Sequence, residues 1–112
     1  MKLPVLTEIV SLKGEAVIDP FSIPKDEAGR PAGPGKPLIL REVIAHALLM
    51  PQSGDEALSG KQKLEDFNIA AAAYDSDMPD YDLEELSRIK ARVGSFWGAS
   101  IVGRVFPMLD PA

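Results

Sequence analysis

Between Asp19 and Pro37 the chain places prolines at 20, 24, 31, 34 and 37 and glycines at 29, 33 and 35. Proline has no N–H to donate and its ring obstructs the preceding turn, so neither a helix nor a strand ladder propagates through such a segment. Regular structure is therefore confined to the residues before Asp19 and after Pro37. At 112 residues the chain is expected to be a single domain, 1–112, in three parts: a β-hairpin over 1–18, an extended Pro/Gly-rich arm over 19–37, and a helical core over 38–112. The arm reads either as a surface loop or as a strap that lies on a neighbour and orders there, with Phe21 and Ile23 as its apolar contacts.

Before the arm, Leu3, Val5, Ile9, Leu12, Ala16 and Ile18 alternate imperfectly with Thr7, Glu8, Ser11 and Lys13. The pattern predicts two strands, Val5–Leu12 and Glu15–Ile18, joined by a turn at Gly14. An isolated hairpin is marginal in water, so this one has to lean on the helices or on another chain.

After the arm, Leu40, Val43, Ile44, Ala47 and Leu48 share one face of a helix predicted over Leu38–Met50, bracketed by Pro37 and Pro51. Ser59 and Gln62 have the S-x-x-Q capping-box spacing and open a second helix to about Tyr74. On it Leu64, Phe67, Ala71 and Tyr74 share a face, while Ala70–Ala73 offers a small-residue surface for close approach by another helix. Asp82 and Glu85 form a D-x-x-E box, followed by Leu83, Leu86, Ile89 and Val93 at helical spacing. Beyond Gly94 and Ser95 comes a second apolar run, Phe96, Trp97, Ile101, Val102, Val105, Phe106, Met108 and Leu109. The stretch from Tyr81 to Leu109 is thus expected to be a helical hairpin or a kinked helix pair supplying most of the core. The fold class is α+β, mainly α, with about four helices in a small bundle.

Composition removes several functions. With no cysteine there are no disulfides, thiolate metal sites or cysteine nucleophiles. A net charge of −5 gives phosphate backbones no overall attraction, so nucleic-acid binding is disfavoured. The excess acid lies largely in Glu65, Asp66, Asp75, Asp77 and Asp80. No basic region followed by an apolar stretch and a small-residue cleavage site opens the chain, and no apolar run reaches the ~20 residues of a spanning helix. A soluble, unprocessed protein is expected, with no membrane contact.

No catalytic signature stands out. Asp75, Asp77, Asp80, Asp82, Glu84 and Glu85 are dense in oxygen, but the calcium-loop pattern fails, with Pro79, Asp80 and Leu86 at its fifth, sixth and twelfth positions. A solvated acidic turn that starts a helix is the expectation, and no metal ligand or cofactor is assigned. His46 is the sole histidine, with Glu42 and Met50 at helical spacing and no nucleophile motif beside it. A catalytic role for it requires distant carboxylates gathered in a pocket. The run Gly29–Gly35 is no phosphate cradle, because prolines replace the donors a phosphate needs. Arg88, Lys90 and Arg92 are spaced two apart and spread around their helix, a poor basis for a helix-turn-helix reader. Gly94, Gly98 and Gly103 each cost about 1 kcal/mol relative to alanine inside a helix, which close packing within the domain or against a partner offsets.

The runs Leu38-Ile39-Leu40-Arg41-Glu42-Val43-Ile44-Ala45-His46-Ala47-Leu48-Leu49, Leu58-Ser59-Gly60-Lys61-Gln62-Lys63 and Ile101-Val102-Gly103-Arg104-Val105-Phe106 resemble small proteins encoded by tailed bacteriophages and prophages. The resemblance spans Leu38–Leu109 and implies a virion part or a host-directed accessory factor, in the host cytoplasm or the particle, without known chemistry. The expected function is non-enzymatic protein–protein contact, by self-association or with a protein partner. Its surface is expected at Phe96, Trp97, Ile101 and Phe106, with Phe21 and Ile23 of the arm as a clamp. The alternative is a nucleic-acid-binding regulator with a local basic face.

Overall fold

The computed structural model describes residues 1–110. Four α-helices follow in order: α1 (Leu40–Leu49), α2 (Gly60–Asp75), α3 (Leu83–Phe96) and α4 (Ala99–Leu109), with a single 3-10 turn, Asp55–Ala57, between the first two. α1 packs against both α2 and α3, and α4 packs on α3. The shortest helix is the central one, since Leu40, Val43, Ile44, Ala45, Ala47 and Leu48 are all buried. The core is thus organised around α1, to which α3 and α4 add Leu86, Ile89, Val93, Ile101, Val105 and Leu109.

The predicted hairpin does not form as two strands. The described residues contain only isolated bridges, among them Val10 with Ala16 and Glu8 with Ile39. A turn does close at Ser11–Glu15, with Gly14 at φ 82°. Continuity fails earlier, because the chain turns at Pro4–Thr7, where the Thr7 N–H donates to the Pro4 carbonyl at 3.0 Å. The segment's other backbone groups bond to the α2–α3 connection and to the start of α1. Leu3 N–H donates to Pro79 and Val5 N–H to Asp77, while the carbonyls of Thr7 and Val5 accept from Leu40 and Arg41 at 2.9 and 2.7 Å. Those last two bonds satisfy the free donors at the start of α1, which has no side-chain cap. Leu3, Val5 and Ile9 are consequently fully buried.

The other helix starts follow their capping residues. Asp82 accepts from the Glu85 N–H at 2.8 Å and Glu85 from the Asp82 N–H at 3.0 Å, a complete box. Ser59 accepts from Gln62 N–H at 3.1 Å, but the Gln62 amide turns away to donate to Asp66. α3 continues through Gly94 and Ser95 instead of stopping there. A Cβ on Gly94 would lie 3.2 Å from Cζ of Phe106, so this glycine serves the approach of α4. Gly98 is the N-cap of α4, and Gly103 faces open space.

Helix ends are closed by arginines from neighbouring helices. Arg92 of α3 is buried and donates to the Ala47 carbonyl at 3.1 Å and to both oxygens of Asp55 at 2.6 and 2.9 Å. Arg41 of α1 donates to the Ala73 carbonyl at 2.6 Å and to Asp77 at 3.1 Å, at the end of α2. Arg88 and the buried Asp66 form a bidentate pair, 2.8 Å on each arm, between α3 and α2. Tyr81 is fully buried, its hydroxyl donates to the Ile69 carbonyl at 2.7 Å, and burial pushes it up to about 12.

Candidate functional site

Glu42 and His46 stand one turn apart on α1, so their side chains share a face. The Pro/Gly segment supplies the third member of the site. Rather than extending as an arm, it folds back: Ile18 bridges Pro37, and Asp19 N–H donates to the Lys36 carbonyl at 2.8 Å. Closure depends on Gly35, where a Cβ would come within 2.6 Å of Ile18 Cγ2 and 2.9 Å of both Ile23 Cγ1 and Ser22 Oγ. At the mouth of this loop Asp19 turns inward, its Oδ1 accepting the Phe21 N–H at 2.9 Å.

The result is an imidazole facing two carboxylates. His46 Nε2 lies 3.6 Å from Asp19 Oδ2 and 3.6 Å from Glu42 Oε2. Asp19 and His46 side chains are 7% and 19% exposed, and Nε2 itself is buried without a hydrogen-bond partner. Glu42 is fixed from outside by the Tyr74 hydroxyl, which donates to its two oxygens at 2.7 and 2.8 Å. Loss of water, followed by that hydrogen bond, pushes Tyr74 up to about 12. The site borders a cleft of about 280 Å³ that includes Phe21, Ser22, Lys36 and Ile39. One histidine and two carboxylates are a donor set for a proton or for a metal ion.

Aromatic rings wall the site. The Phe21 ring lies 4.3 Å from the His46 ring, Trp97 lies 6.2 Å from it, and Phe96 packs edge-on against Trp97 at 5.3 Å. The Trp97 indole N–H donates to the Val43 carbonyl at 3.0 Å. Of the residues expected to bind a partner, Phe21, Phe96 and Trp97 thus come together around His46, with Phe96 and Trp97 half-buried. Ile23 is half-buried against Gly35. Phe106 is half-buried on Gly94 with the Lys90 ammonium over its ring. Ile101 belongs to the core and offers no surface, because α4 turns that side onto α3.

A second feature lies on α2. Its inner face is Ile69, Ala70, Ala73 and the ion-paired Asp66, and the two alanines let it approach α1 closely. The larger apolar residues point outward, with Leu64 59% exposed, Phe67 57% and Tyr74 51%. Beside them, Phe67 and the exposed Met50 line a groove of about 480 Å³ at the end of α1.

The basic residues of α3 are engaged: Arg88 with Asp66, Lys90 with Asp110 and Arg92 with Asp55. In the acidic turn Asp82 and Glu85 serve as caps and Asp77 pairs with Arg41. Sequence reasoning paired His46 with Glu42 by spacing but had no signal for Asp19, which only the loop closure delivers. Among the described residues no helix is long and apolar enough to cross a membrane. No protein-family model, no curated protein and no solved structure matches this chain.

Proposed function

We propose that the protein is a non-enzymatic assembly protein that associates with a second copy of itself through α2. The observation that carries this reading is the outward stripe Leu64, Phe67, Ala71 and Tyr74. Its spacing alternates three and four residues, the seam that a second helix fills by knobs-into-holes packing. A two-fold antiparallel pairing centred near Ile69 sets Leu64 opposite Tyr74 and Phe67 opposite Ala71. It also sets Lys61 of one copy on the same flank of the seam as Asp75 of the other, at both ends. The charge order along α2, basic at its start and acidic at its end, favours this direction over the parallel one. The resemblance of residues 38–109 to small phage proteins supports a setting in a particle or its assembly.

Sedimentation or light scattering across a concentration series is expected to show a monomer–dimer equilibrium. Phe67→Glu is expected to weaken it by about 2 kcal/mol, roughly 30-fold, with the fold retained. Carbodiimide coupling of Lys61 to Asp75 gives a second readout. The two residues sit about 21 Å apart along one helix, so a direct bond between them joins two molecules. A monomer at all concentrations, or a dimer indifferent to Phe67→Glu, overturns the reading.

A further inference from the structure

We propose that Asp19, Glu42 and His46 bind a divalent transition-metal ion of the zinc class. Two carboxylates and one imidazole converge here, with one donor atom from each lying within 4.8 Å of the others. Asp19 is buried, and the positive group set against it is the imidazole, if protonated. A protonated Nε2 would donate to a carboxylate at about 2.7–2.9 Å, whereas Nε2 stands 3.6 Å from both. It is equidistant between them and makes no hydrogen bond. A cation shared by Nε2 and the two carboxylates accounts for both facts.

Tetrahedral zinc with bonds of about 2.0–2.2 Å sets its ligand atoms ~3.3–3.6 Å apart, matching the two separations from Nε2. The supports around the ligands also fit. Asp19 Oδ1 is held by the Phe21 N–H and Glu42 by the Tyr74 hydroxyl, outer contacts of the sort that orient metal-binding carboxylates. Calcium and magnesium fit poorly, since both favour all-oxygen surroundings and calcium takes six or more donors. The remaining coordination position opens on the cleft beside Ser22 and Lys36, where water completes the set. Such an ion clasps the start of the Pro/Gly loop to α1. This inference is independent of the pairing through α2.

The test uses the full chain, stripped with a chelator, dialysed and titrated with zinc chloride by calorimetry and with cobalt chloride by visible absorption. One equivalent per chain is expected, with the strong visible bands of four- or five-coordinate cobalt. His46 is the sole histidine, so the imidazole nitrogen resonances report on it alone, and its Nε2 signal is expected to shift with zinc. His46→Ala is expected to weaken zinc binding about 100-fold or more. The near-isosteric Asp19→Asn and Glu42→Gln keep the Phe21 and Tyr74 hydrogen bonds and are expected to lose at least tenfold, so the test survives if His46→Ala misfolds. Glu84→Gln, at an exposed carboxylate of α3, is expected to leave zinc binding unchanged. Absence of stoichiometric binding, binding without a shift at His46, or binding that survives Asp19→Asn and Glu42→Gln overturns the proposal.

Discussion

Arg92 shows how much one side chain holds in a domain this small. Its guanidinium is buried on α3 and answers two needs, the carbonyl of Ala47 and the carboxylate of Asp55. Arg92→Met keeps the volume but leaves the Ala47 carbonyl and the Asp55 carboxylate with Gln52 as their remaining donor. A loss of stability is expected, tempered because Asp55 keeps contact with water, and urea unfolding measures it. The same pair sets an acid dependence. Arg92, and after it the Gln52 N–H, hold Asp55 down from 3.8 to about 2. A carboxylate lowered on folding stabilises the native state above its unfolded value, and that contribution fades as pH falls from about 4 to about 2. The stability difference between the protein and Asp55→Asn is expected to shrink over that interval, read as urea midpoints at each pH. Neither Asp55 nor Asp19 was legible as an important residue in the sequence. Each gains its partner through a loop, and loop closure leaves no periodic trace.

At the scale of elements, residues with a local mechanism were readable. Asp82 with Glu85 capped α3 as their spacing required, because both hydrogen bonds span three residues. The turn at Pro4 is why the N-terminal third makes bridges instead of strands. On α2 the shared face of Leu64, Phe67 and Tyr74 lies outside, and the inner one is built from Ile69, two alanines of the small-residue run, Ala70 and Ala73, and an aspartate neutralised by Arg88. Periodicity weighs bulk, whereas close helix packing selects small residues. The Pro/Gly segment gives this scale its own prediction. Gly35→Ala inserts a methyl group against Ile18, Ile23 and Ser22, with an expected cost of about 1–3 kcal/mol. The loop is expected to open first, so limited proteolysis should cut near residues 22–34 faster than in the parent protein.

For the whole molecule, number of helices and helical class were legible, but the centre of the core was not. α1 holds that place because the N-terminal segment, α2 and α3 all converge on it, a three-way relation that no single window of sequence contains. If two copies pair along α2, dilution costs stability, since association favours the folded state by mass action. The melting temperature is expected to rise with protein concentration in the parent and to stay flat in Phe67→Glu, as measured by calorimetry.

Arg41 and Arg92 each stopper a helix to which they do not belong. A terminus latched by its neighbour has no private way to unravel, because loosening the last turn of α1 means withdrawing a side chain of α3. Amide protons of Ala47, Leu48 and Leu49 are therefore expected to exchange with deuterium only as fast as the entire domain opens, whereas the tail of α4, which no arginine holds, trades its protons early.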